Sequence, residues 1–134
     1  MNYKDLHLEA IMIPDNVSEL LKDEPIWDIE VPPFSICAVV TQHNGQERMT
    51  WSIEFSPEFD FDDPNEMLDE KGIEPDGHGW TEYVLGYIRS NYPQADGRIL
   101  EDSEVDTCCL YTFTKADFTA LLKILSEAIR ELYI

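Results

Sequence analysis

Asn44-Gly45 stands between two alternating runs, residues 34–42 and 47–55, and that arrangement leaves the middle of the chain little choice of fold. Asn and Gly both accept the positive φ that a two-residue type I′ turn demands, and such a turn twists in the same sense as the strands it joins. A loop at 44 and 45 then sets the pairing: Val40 opposite Met49, Ala38 opposite Trp51, Ile36 opposite Ile53, and Phe34 opposite Phe55. All four pairs are apolar and share one face, while Arg48, Thr50, Ser52 and Glu54 share the other, so a slip of one residue would exchange core and solvent. The hairpin offers one face to a core.

The rest of the chain reads as elements that would cover that face. Residues 64–72 begin with Pro64 and end with Gly72, the asymmetry expected of a short helix. Gly77-His78-Gly79 leads into Trp80, Val84, Leu85, Tyr87 and Ile88 at helical spacing, and Tyr92-Pro93 ends that run. Residues 98–100 and 105–113 read as two strands joined across Asp102-Ser103-Glu104. Thr114, with Asp117 three residues on, caps a terminal helix whose Phe118, Leu121, Leu122, Leu125, Ile129 and Leu132 form one apolar stripe. Before the hairpin, Asp15 or Asn16 caps a short helix through Leu20 and Leu21, and Pro32-Pro33 separates it from the strands. The order strand, strand, helix, helix, strand, strand, helix predicts an α+β fold. It is one domain over residues 1–134, an antiparallel sheet of about four or more strands with helices packed on it and an amphipathic helix at the end. A chain of 134 residues with 43% hydrophobic content suits a single core.

Charge narrows the function. Nine Lys and Arg against 28 Asp and Glu give a net charge of −19, which argues against direct binding to nucleic acid or to an anionic membrane and favours a basic partner. Solubility alone asks for only about 2–8 charges on a small domain. Ten acids fall within residues 54–76, from Glu54 to Asp76, against the single cation Lys71, with Phe59 and Phe61 among them. A uniformly acidic proteome would scatter its acids, whereas a cluster with two aromatics suits a binding patch. No stretch approaches the ~18 apolar residues of a membrane helix, and the opening residues lack the basic start and apolar block of a secretory signal, so a cytoplasmic location is expected. Cys37, Cys108 and Cys109 are too few for a disulfide framework or a zinc knuckle. Adjacent positions in a strand alternate faces, so Cys108 and Cys109 divide into one core and one outer thiol.

Catalytic signatures are sparse. There is no nucleophile elbow and no P-loop, and the dinucleotide fingerprint fails because Glu82 holds its third glycine position. A calcium loop aligned on Asp60 places Pro64, Asn65 and Lys71 where a ligand, the turn glycine and the bidentate Glu belong. His7, His43 and His78 are scattered, and a Cys–His pair such as Cys109 with His78 is the nucleophile–base arrangement left open. No catalytic residue, metal ligand or cofactor is expected.

Two segments carry a resemblance. Gly72-Ile73-Glu74-Pro75-Asp76-Gly77-His78-Gly79-Trp80 opening a helix, then Asp102-Ser103-Glu104-Val105-Asp106-Thr107-Cys108-Cys109-Leu110-Tyr111-Thr112 and the helix from Thr114, resemble the immunity protein 51 family of bacterial polymorphic toxin systems, over about residues 64–132. Where the family pattern has a second aromatic two positions after Trp80, this chain has Glu82. The resemblance implies a non-enzymatic antidote that binds and blocks a toxin domain encoded beside it. Candidate contact residues are Asp60, Asp62, Asp63, Glu66, Asp69 and Glu70 for steering, Phe59, Phe61 and Trp80 as aromatic anchors, and Glu82 in place of the family's aromatic. Trp80 at the first turn of a helix also suits a core position. An acidic module that mimics nucleic-acid charge toward many basic proteins, and a small enzyme using Cys109 and His78, are the competing expectations. The sequence does not fix the oligomeric state.

Overall fold

The computed structural model describes residues 2–134, the side chain of His43 excepted, and places the hairpin at the centre of a five-stranded antiparallel sheet. The strands are Ile26–Val31 (β1), Phe34–His43 (β2), Gln46–Phe55 (β3), Leu100–Glu101 (β4) and Cys108–Thr112 (β5), in spatial order β1-β2-β3-β5-β4. β2 and β3 pair in the expected register, Phe34 with Phe55 through Val40 with Met49, and Asn44 and Gly45 take φ of 54° and 78°. Phe34, Ile36, Ala38, Trp51, Ile53 and Phe55 are buried, whereas Val40 is 47% exposed near the turn, beyond the reach of the core.

β1 departs from expectation. Pro32 and Pro33 do not separate the first residues from the hairpin. Joined by a cis peptide bond, they occupy the loop between the paired residues Val31 and Phe34, where the ladder asks for no N–H and proline's missing donor is harmless. Upstream, Tyr3, Leu6 and Leu8 are buried.

The helices are Val17–Leu20 (α1), Asp62–Glu70 (α2), Gly77–Asn91 (α3) and Lys115–Glu131 (α4). α1 is a single turn after Asn16, whose side chain makes no capping bond. α2 begins two residues before Pro64, so the proline falls in the first turn, and Gly72 follows the helix at φ 81°. The Asp76 carboxylate accepts the Gly79 N–H at 2.8 Å to start α3. Thr114 Oγ1 accepts the Asp117 N–H at 3.1 Å to start α4. The strand expected from Val105 begins only at Cys108, because Glu104 and Thr107 exchange backbone hydrogen bonds of 2.9 and 3.2 Å and pinch the chain into a turn.

Phe61 is the hub of the core. Its ring lies 4.9 Å from Tyr3, 5.0 Å from Phe55, 5.0 Å from Trp80 and 6.0 Å from Phe34, mostly edge-to-face. From α4, Phe118, Leu121, Leu122, Leu125 and Ile129 complete it, with Phe118 stacked on Trp51 at 5.8 Å. The N-terminal segment is bound to α4 by the Leu8 N–H on Ser126 Oγ at 2.8 Å and by Arg130 donating to the Leu6 carbonyl at 2.7 Å. The strand residues in this core share one face of the sheet.

Candidate binding surface

α2 divides the acidic stretch cleanly. Pro64 and Leu68 are buried against the core, while Asp62, Asp63, Glu66, Asp69 and Glu70 are exposed, because a helix laid on a core buries one stripe and wets the rest. Asn65 pins the helix. Its amide donates to the Pro57 carbonyl at 2.6 Å and its oxygen accepts the Trp80 indole N–H at 2.8 Å. Among the described residues, none of these acids, nor Asp60 before them, is in an ion pair. A cleft of about 570 Å³ opens beside the start of α2, lined by Lys4, Pro33, Asp60, Asp62, Asp63 and Tyr133 among others. At its floor Tyr3 donates to the Asp60 carbonyl at 2.5 Å, and burial, aided by the Asp60 carboxylate, pushes the Tyr3 phenol up to about 12. The Tyr133 phenol is raised by burial and by Asp63.

The aromatic candidates separate. Phe59 is 65% exposed, beside a groove lined by Pro33, Ser35, Glu54 and Thr107 among others. Phe61 and Trp80 are fully buried, so the expectation that they anchor a partner gives way to a core role. Asp60, between Phe59 and Phe61, takes a left-handed φ of 55°, which breaks the strand alternation that would put both rings on one face. Glu82 is exposed, on α3 one turn beyond His78 and not on α2.

The outer face of the sheet is a second surface. Cys37 shares a 3.0 Å hydrogen bond with Ser52, Thr41 one of 2.8 Å with Thr50, and Arg48 lies 3.8 Å over the Phe113 ring. A shallow groove of about 250 Å³ runs along Thr41, Thr50, Ser52, Cys109 and Tyr111. Burial pushes the Cys37 thiol up against the opposing Ser52 hydrogen bond, and the charges of Glu54, Asp28 and Glu30 add to the rise. Asp28 and Glu30 were missed because β1 was missed. The signal that could have found them is the alternation Trp27-Asp28-Ile29-Glu30-Val31.

Cys108 is buried and Cys109 partly exposed, as the strand alternation requires. Burial, followed by Glu54 and Asp102, pushes the Cys109 thiol up to about 12, so it is no thiolate near neutral pH. α3 packs on the Cys108 side, with Thr81 Oγ1 3.4 Å from Cys108 Sγ. Cys109 faces the other way. The sheet thus stands between Cys109 and His78, and the dyad is not assembled.

The 77–81 and 103–107 segments form a joint. A Cβ on Gly77 would lie 1.9 Å from the Glu104 carbonyl oxygen, and one on Gly79 would lie 1.7 Å from that of Glu74. The Gly77 N–H donates to the Val105 carbonyl at 2.8 Å, and Thr81 and Ser103 share a hydroxyl hydrogen bond. Close approach, and not positive φ, is why both positions are glycine. Among the described residues no group of three or more His, Cys, Asp or Glu is arranged to hold a metal ion, and no helix is long and apolar enough to cross a membrane. Comparison with protein-family models, with curated proteins and with solved structures finds no match.

Proposed function

We propose that this chain is a cytoplasmic immunity protein, a non-enzymatic inhibitor that binds a basic, nuclease-type toxin domain and covers the surface with which that domain holds nucleic acid. The observation that carries the reading is the row of unpaired acids on α2. Asp62, Asp63, Glu66, Asp69 and Glu70 lie along nine residues, about 13.5 Å at 1.5 Å per residue, or one charge per roughly 2.7 Å. That density falls between the ~3.4 Å of one nucleic-acid strand and the ~1.7 Å of a duplex. A cleft built to grip phosphates with Arg and Lys can grip these carboxylates in their place. The net charge of −19 extends the attraction beyond contact range and speeds encounter. The resemblance to immunity protein 51 points the same way.

Co-expression with the C-terminal domain of the protein encoded immediately upstream, followed by affinity capture and a salt titration, tests the reading. A stoichiometric complex that abolishes that domain's toxicity and weakens steeply with salt is expected, and the double change Asp62→Lys with Asp63→Lys should slow association about tenfold or more. No complex with a harmless neighbour would overturn it. Weak capture of many basic proteins with no preferred partner would favour a general charge-mimicking module instead.

A further inference from the structure

β1 ends the sheet, and among the described residues no backbone hydrogen bond joins it to any element but β2. The direction of its free groups follows from the register. The two-residue turn after β2 makes Thr41 with Arg48, Val39 with Thr50, Cys37 with Ser52 and Ser35 with Glu54 the hydrogen-bonded pairs of that ladder. Phe34, Ile36 and Ala38 therefore turn their N–H and C=O toward β1, where they meet Val31, Ile29 and Trp27. Ile26, Asp28 and Glu30 are left with donors and acceptors aimed at the open edge. At the other end of the sheet β4 has two residues, too few to template a strand.

Side chains along this edge alternate in chemistry as well as in direction. Asp28 and Glu30 are exposed on the outer face, with the Glu30 carboxylate accepting from Ser35 Oγ at 2.7 Å. Trp27 and Ile29 are half-buried on the inner face, the Trp27 ring 6.3 Å from Trp51. An edge with acids on one side and an apolar shelf on the other is the complement of a strand with cations on one side and apolar residues on the other.

We infer that the open edge of β1 receives an extended segment of a basic partner as a sixth strand, with Lys or Arg at alternate positions opposite Asp28 and Glu30 and apolar residues between them beside Trp27 and Ile29. The inference rests on the partner being basic, as proposed above, and names the segment that is gripped. Backbone pairing supplies affinity and the alternating side chains supply register. A second copy of this chain is a poor occupant, because antiparallel self-pairing sets the acids of β1 against acids, and each copy carries −19.

The test uses the full chain labelled for amide exchange, at physiological salt, with acetyl-Lys-Val-Lys-Val-Lys-Val-amide and its block isomer acetyl-Lys-Lys-Lys-Val-Val-Val-amide as probes. The alternating peptide should slow exchange at the Ile26, Asp28 and Glu30 amides by about tenfold or more, and the block peptide should not. Asp28→Pro, which removes an outward N–H and leaves the ladder to β2 intact, and Glu30→Lys, which reverses a charge, should each weaken the alternating peptide about tenfold. Equal binding of both peptides without protection of these three amides would overturn the inference, as would protection that grows with protein concentration alone. The peptide arm decides the matter even where no toxin complex forms. A toxin complex that forms unchanged with both variants would remove the edge and leave the inhibitor reading standing.

Discussion

At residue scale the segment from Phe59 to Asp62 shows how one backbone angle assigns two identical side chains to opposite tasks. Phe59 presents its ring to solvent beside Pro33 and Glu54, and Phe61 carries the centre of the aromatic core. Truncation should therefore read out differently at the two positions. Phe61→Ala should lower stability by about 3–5 kcal/mol in urea unfolding, through lost transfer energy and the cavity left behind. Phe59→Ala should leave stability within about 0.5 kcal/mol and raise the off-rate of the partner complex about tenfold, as an exposed aromatic anchor does. An off-rate unchanged by Phe59→Ala, measured by surface plasmon resonance, would take this ring out of the interface. The alternation Phe-Asp-Phe-Asp reads as a strand with both rings on one face. What that pattern cannot carry is the left-handed φ at Asp60, an occasional choice for Asp that local pattern does not announce.

At the scale of elements the legible parts are those whose signals are local and agree with one another. The β2–β3 hairpin has turn residues, alternation and cross-strand pairs that all demand one register, and the capped, striped α4 is equally determined. β1 has the alternation too, but two prolines that normally mark a break serve here as the loop of a second hairpin, a use visible only once Phe34 is known to pair with Val31. Gly77 and Gly79, in the first turn of α3, stand out in the sequence, but the reason for them is visible only in the packing. Gly77 brings the helix start against the 104–107 turn and Gly79 seats it on the Glu74 carbonyl, so the Gly-x-Gly step is a structural joint. Gly77→Ala should cost about 3 kcal/mol, since the new methyl meets two backbone carbonyls that no rotamer can move. Gly86→Ala, in the same helix with nothing within 4 Å of the added methyl, should gain about 0.5–1 kcal/mol. Urea midpoints that shift alike for the two variants would reject the joint.

For the whole molecule, nineteen net negative charges on one small domain cost self-repulsion in the folded state. The acids of α2 lie on a surface with no compensating ion pairs among the described residues, so they repel one another and the rest of the chain in the free protein. On the proposed reading they gain a counter-charge only when a basic partner arrives. Neutralising Asp62, Asp63, Glu66, Asp69 and Glu70 to their amides should thus raise the melting temperature at low salt, by a few degrees for about 1 kcal/mol of relieved repulsion. The gain should fade as added salt shortens the Debye length to about 10 Å at 0.1 M. The same variant should associate with its partner at least about tenfold more slowly at low salt, because the steering field is gone. Opposite signs in calorimetry and in association kinetics would identify these acids as retained for a basic partner at the expense of stability. If the variant melts lower at every salt concentration, the acids stabilise the fold, and the acidic row on α2 loses its claim to be the binding surface.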